Sequence, residues 1–124
     1  MAETLKVQME KILEEYSHRV VNVTNVAMGR VSRECVRKLR NTSPKKTGDY
    51  ASGWKTKQMI SHGKVADIIV HNATDYQLTH LLENGHVVVN AKGTYGRAPA
   101  KKHIGPVEEW ANEELPREIE KELE

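Results

Sequence analysis

An α+β domain is what this sequence predicts: a long N-terminal helix, a small antiparallel sheet with a β-hairpin, a short middle helix and a C-terminal helix. Three observations carry that expectation. Apolar residues recur at steps of three or four from Leu5 to Leu39 and again from Val107 to Leu123. Two runs of strand composition, Gly53–Ile60 (GWKTKQMI) and Val65–Asn72 (VADIIVHN), flank the turn Ser61-His62-Gly63-Lys64. The 124 residues suffice for one core but not two, so residues 1–124 read as a single domain.

The first helix spans residue 3 to about residue 41. Its stripe is Leu5, Met9, Ile12, Tyr16, Val20, Val23, Ala27, Val31, Cys35 and Leu39. About 38 residues at 1.5 Å each give a rod of roughly 57 Å, longer than a compact domain of this size. Part of the 1–41 helix is therefore expected to project, and its N-terminal half is a candidate to pack on a partner. Gly29 is a place for a bend. Asn41-Thr42-Ser43-Pro44 ends the helix, because proline cannot continue it and drives Ser43 away from helical angles. Thr47-Gly48 then makes a tight reversal, with Gly48 suited to positive φ.

After the hairpin, Asp75–Glu83 (DYQLTHLLE) has a helical pattern that Thr74 or Asp75 can cap, and Asn84-Gly85 stops it. His86–Asn90 (HVVVN) reads as a short strand. Ala91–Lys102 (AKGTYGRAPAKK) is Gly-rich and basic, so residues 91–102 are expected to form a mobile loop or arm. The last helix covers residues 105–124, with Pro106 in its first turn and Val107, Trp110, Ala111, Leu115, Ile119 and Leu123 facing inward. Pro116 is expected to kink or break it.

Hydrophobic residues make up 38% of the chain, there is no Phe, and the mean hydropathy is −0.64. So thin an apolar supply suits an elongated shape or help from neighbouring copies. No apolar run approaches the roughly 20 residues of a membrane span, and the N-terminus shows no signal-peptide pattern. One cysteine, Cys35, excludes an internal disulfide, so an intracellular site of folding is expected. Net charge is +2, but it is unevenly spread. Residues 1–103 hold 17 Lys and Arg against 9 acids, and residues 104–124 hold 2 against 8. A basic body with an acidic tail suits head-to-tail contact between identical subunits; a solvated final helix is the equal alternative.

Candidate chemistry is sparse. The six histidines (His18, His62, His71, His80, His86, His103) show no metal-ligand spacing. Cys35 lies on the apolar stripe and reads as a buried, inert thiol. Ser43, Ser52 and Ser61 lack a nucleophile elbow. Glu83 sits where a carboxylate usually caps a helix or pairs with a cation. PKKTG and Gly93-Thr94-Tyr95-Gly96 both fail the phosphate-loop spacing. No catalytic residue, cofactor or metal is therefore expected. Nucleic-acid binding is the main competitor. Residues 28–64 hold ten Lys and Arg against two acids, with Tyr50 and Trp54 interleaved as stacking aromatics or, alternatively, as core residues beside a solvated basic loop. A toxin-like ribonuclease is a weaker competitor, with His71 as its only suitable strand histidine.

Three stretches in order carry a resemblance. They are SPKKTGDYASGW at 43–54, YQLTHLLENGH at 76–86 and GRAPAKKHIGPVEE at 96–109. From about residue 10 to the C-terminus the chain resembles the phage neck and tail-component family named after the tenth gene product of a lambda-like siphophage. The residues that carry the resemblance are Pro44, Thr47, Gly48, Tyr50 and Trp54, then Tyr76, Glu83, Gly85 and His86, then Pro99, His103, Ile104 and Pro106. Many members have an aromatic where this chain has Lys101-Lys102.

The resemblance implies a non-enzymatic virion structural protein at the head-to-tail junction, acting in neck assembly or tail completion. It would be made in the host cytoplasm and sit in the phage neck or at the top of the tail. It implies a homo-oligomeric ring, six-fold or, nearer the portal, twelve-fold, in contact with other neck, adaptor and tail proteins. Non-specific contact with passing DNA is a further expectation; contact with a membrane is not. In such a ring one face meets a different face of the next copy. The expected contact residues are Arg30, Arg33, Arg37 and Arg40 against the acidic last helix (Glu108, Glu109, Glu113, Glu114, Glu118), with Arg97, Lys101 and Lys102 reaching a neighbour.

Overall fold

The computed structural model describes residues 4–45, 48–59, 64–90 and 93–124, with backbone alone for 86–90 and 93–95. Helix α1 runs unbroken over Leu5–Thr42. The Thr4 side chain accepts from the Val7 N–H and so caps its start. Gly29 does not interrupt it. At the far end Ser43 is extended, and its N–H donates to the Leu39 carbonyl.

A single turn, α2 (Asp49–Ser52), starts at Gly48, whose φ of 90° only glycine adopts without strain. Thr47 lies outside the described residues, as do Ile60 and the Ser61-His62-Gly63 part of the predicted turn. Strands β1 (Trp54–Met59) and β2 (Asp67–Asn72) pair antiparallel, from Trp54 opposite Asn72 to Met59 opposite Asp67. The antiparallel pairing is thus as predicted, with β1 starting one residue and β2 two residues later than expected. A 3-10 turn at Tyr76–Leu78 leads into α3 (Thr79–Asn84). The side-chain cap expected from Thr74 or Asp75 is not made. Instead the Asn72 carboxamide oxygen accepts both the Thr74 and Asp75 N–H groups, an Asx turn that orders this stretch without a cap.

Beyond that point the structure adds detail to the expected outline. The segment expected to be a mobile loop or arm, 91–102, contains strand β4 (Gly93–Ala98), paired antiparallel with β3 (His86–Asn90). Backbone pairing alone suffices to order a glycine-rich ribbon whose side-chain pattern does not announce it. Among the described residues β1 and β2 form one two-stranded sheet, and β3 and β4 form another. The last helix, α4 (Ile104–Leu123), is not broken at Pro116. Pro116 and Asn112, whose carbonyl loses its helical donor, are both exposed. An exposed carbonyl is accessible to solvent, and packing of the helix's other face holds the helix together.

The core lies where α4 packs on α1 beside β1. Val31, Cys35, Leu39, Tyr50, Trp54 and Val107 are buried, with Val36, Val70, Leu82, Ile104, Trp110, Ala111 and Leu115 against them. The Lys38 ammonium sits 4.6 Å from the Trp110 ring centre, a cation–π contact. At the other end of α4 the Arg19 guanidinium donates to the Glu122 and Leu123 carbonyls, a cation at the negative end of a helix. Asn25 donates to the Lys64 carbonyl and accepts from the Ala66 N–H, which fixes the approach to β2. N-terminal to these ties, the described residues of α1 are exposed.

Candidate functional site

The centre of the molecule is a polar latch that joins three distant stretches of chain. The Glu83 carboxylate, at the end of α3, accepts three backbone N–H groups at the start of α4: His103 and Ile104 on Oε2 at 2.8 and 2.9 Å, and Gly105 on Oε1 at 2.9 Å. A helix N-terminus leaves these donors unpaired, so an anion there is stabilised by both hydrogen bonds and dipole. Burial pushes the Glu83 carboxyl up. The three N–H donors and the nearby His103 outweigh it and hold the group below the usual carboxylate range.

His103 is the most deeply buried large side chain described, at 1% exposure. Its Nδ1 lies 2.7 Å from the Lys101 carbonyl and 3.2 Å from Glu83, and its Nε2 lies 2.7 Å from the Tyr50 hydroxyl. The carbonyl can only accept, so Nδ1 carries the proton, and in the neutral ring Nε2 accepts from Tyr50. Both ring nitrogens are engaged, so the ring is fixed in orientation between the Lys101 carbonyl and the Tyr50 hydroxyl. Burial and the Glu83 charge push the Tyr50 phenol up to about 12. Tyr50, Trp54 and His103 meet edge to face, with ring centres 5.5 to 6.3 Å apart.

Further ties close the latch. Trp54 Nε1 donates to the Ser43 hydroxyl at 2.8 Å, and the buried Asn72 donates to the Tyr50 carbonyl at 2.7 Å. A Cβ at Gly53 would meet Thr74 Oγ1 at 2.6 Å, so only glycine fits there. Gly85, at φ 77°, lies against the Ala98 and Ala100 backbone, where a Cβ would come within 2.7 Å. Glu83, His103 and Tyr50 are each held by hydrogen bonds that tie one stretch of chain to another. Among the described residues, no cluster of His, Cys, Asp or Glu could hold a metal ion. Cys35 is buried, and burial raises its thiol.

Two exposed surfaces along α1 lie apart from the latch. The projecting half of α1 exposes Leu5, Met9, Ile12, Leu13 and Tyr16, with Leu5 at 71%, Ile12 at 64% and Tyr16 at 56%. Beside the C-terminal half of α1 and the start of β1 runs a groove of about 590 Å³, lined by Arg33, Val36, Arg37, Arg40, Asn41, Lys55 and Thr56.

The latch geometry joins residues of all three stretches singled out in the sequence. A family model described as "Bacteriophage HK97-gp10, putative tail-component" matches residues 3–85, two thirds of the chain. The chain belongs to this HK97-gp10-like family of bacteriophage tail components. The match ends at Gly85, so the third stretch, 96–109, lies beyond it. No curated protein and no solved structure matches the chain.

Within this HK97-gp10-like chain the predicted motif residues divide in two. Tyr50, Trp54, Glu83, Gly85, His103 and Ile104 belong to the latch; Pro44 follows the end of α1, and Gly48 starts α2. Tyr76, Pro99 and Pro106 are exposed, and the side chain of His86 lies outside the described residues. Several residues expected to reach a neighbour have partners in their own chain. Arg30 pairs with Glu118 at 3.5 Å and Arg37 with Glu34. Arg40 donates to the Trp54 carbonyl at 2.9 Å, Arg97 to the Asn84 carbonyl, and Lys102 to the Asn84 side chain. Glu114 pairs with Arg117. Sequence reading missed Asn72, Ser43 and Asn25 as structural anchors. The Asn-Ala-Thr-Asp run after β2 was a readable Asx-turn signal for Asn72.

Proposed function

We propose that this tail-component chain is a non-enzymatic structural subunit of the phage head-to-tail junction, acting in neck assembly or tail completion. It associates head to tail with copies of itself into a closed ring, six-fold in the favoured reading and twelve-fold in the alternative. One observation carries the reading: the projecting, solvent-exposed apolar face of α1, which one chain leaves uncovered. A face of this kind on a rod held out from the body suits contact with a neighbour more than independent life in water. The unequal charge of body and tail supports heterologous contact, with Glu109 and Glu113 of α4 free to meet a basic neighbour surface that includes Lys101.

The test is mass by light scattering on nuclease-treated protein, with negative-stain imaging of the same sample. Closed rings of six or twelve are expected for the wild-type chain. In Ile12→Gln/Tyr16→Gln the rings should be lost, while the unfolding free energy of the unassembled subunit stays within about 0.5 kcal/mol of wild type, as for other exposed substitutions. A chain that stays monomeric both alone and mixed with purified tails of its phage overturns the reading.

A further inference from the structure

The groove beside α1 gathers cationic side chains from a helix and a strand. Arg33, Arg37 and Arg40 recur at i, i+4 and i+7, so they form a ridge roughly 10 Å long on one face of the helix. Lys55 and the Thr56 hydroxyl come from β1, and the Asn41 carboxamide closes the end. All six of these polar residues are exposed; the only apolar residue lining the groove is the half-buried Val36. One acid intrudes: Glu34 takes hydrogen bonds from Arg37 and is held below its usual range by them, so it stays ionised and offsets that arginine. Arg40 spends one N–H on the Trp54 carbonyl and keeps the others. The balance is about three unneutralised cations with neutral donors between them.

We propose that this groove binds the sugar–phosphate backbone of double-stranded DNA, without sequence preference. Phosphates of one strand advance about 3.4 Å each along a duplex axis, so the ridge spans about three of them. Planar guanidinium groups match phosphate oxygens two at a time. Two features separate this from other polyanions. The aromatic residues of the basic segment, Tyr50 and Trp54, are buried in the latch, so the groove offers no platform for the stacked bases of a single strand. An acidic protein surface would instead favour a groove with an apolar centre, and Val36 alone does not supply one. The inference rests on the groove's chemistry and not on ring formation.

The experiment is fluorescence anisotropy of a labelled mixed-sequence duplex of about twenty base pairs, titrated with the full chain over a salt series. Mass is measured in the same buffers, so that failure to form rings is read separately from failure to bind DNA. Expected is binding whose logarithm falls against log salt with a slope of roughly −3 per subunit. Arg33→Gln/Lys55→Gln should flatten the slope by about 2 and weaken binding at least about tenfold at low salt. Its melting curve should match wild type. Lys6→Gln, on the projecting half of α1, should change the slope by no more than about 1 and leave the groove's share intact. Three results overturn the proposal: no binding at low salt; equal binding by the wild type and the double variant; or tighter binding of a single strand of the same length. If the double variant binds DNA normally but loses self-association, the groove's occupant is the acidic face of another copy.

Discussion

Glu83 shows how much one side chain can settle. It ends one helix and starts another, 20 to 22 residues further along, by accepting three N–H groups. Replacing it with Gln keeps the shape but turns an NH2 group toward N–H donors. Glu83→Gln should cost about 1–2 kcal/mol, the range for lost caps and for buried donors left unpaired. For a chain of this size that is a fall in melting temperature of roughly 4–8 °C. The pH dependence has a definite sign. A carboxylate held below its ordinary range stabilises the fold above its unfolded value of about 4.3, and that contribution fades as pH falls through the lower folded value. Melting curves followed by circular dichroism at neutral pH and in acid should therefore show the gap between wild type and Glu83→Gln closing below about pH 4. A gap that persists undiminished in acid would show that shape, not charge, is what Gln lacks.

At the level of elements, α1, the hairpin and α4 could be read from the sequence because burial imposes a period. Val31, Cys35 and Leu39 on α1 and Val107, Ala111 and Leu115 on α4 face the same core. Strand β4 could not be read, because Gly93, Gly96 and their polar neighbours give no alternation; its order comes from backbone pairing with β3. In the latch, Tyr50 and Trp54 were legible as core candidates and Glu83 as a cap. The contact of Tyr50 with His103 was not, since the two are 53 residues apart and no local pattern links them. Pro116 misled in the other direction. Its local rule holds, but tertiary packing of α4 on α1 overrides it. An override leaves a measurable cost. Pro116→Ala restores the N–H for the Asn112 carbonyl, and proline in a helix interior costs about 3 kcal/mol relative to alanine. The exposed site softens that figure and the stiffer unfolded chain of the proline form opposes it. A gain of about 1–2 kcal/mol, seen as a higher urea midpoint with unchanged slope, is expected. A lower midpoint would show that the helix needs proline geometry at this position.

For the whole molecule, α1 is the defining feature, because one continuous helix belongs to two environments. From Arg19 onward it is tied to α4, β1 and β2; before that it is an exposed rod of about fourteen residues, or roughly 21 Å. An isolated helix of that length is marginal in water. Here it grows from a packed helix, so nucleation is already complete, and exposed pairs such as Lys6 with Glu10 add only tenths of a kcal/mol. The rod should therefore be helical but open readily. Amide hydrogen exchange separates this from a uniformly stable helix. In the unassembled chain, residues 5–16 should exchange at least about 100-fold faster than residues 27–39, whose side chains are locked in the core. Once copies assemble, the same N-terminal amides should slow toward the core rate, because covering Leu5, Met9, Ile12 and Tyr16 removes the open state's access to water. Protection that appears there and nowhere else identifies α1 as the contact element. Fast exchange that survives assembly would move the contact to another face of the molecule, such as the exposed Tyr76, Leu78 and Leu81 beside α3.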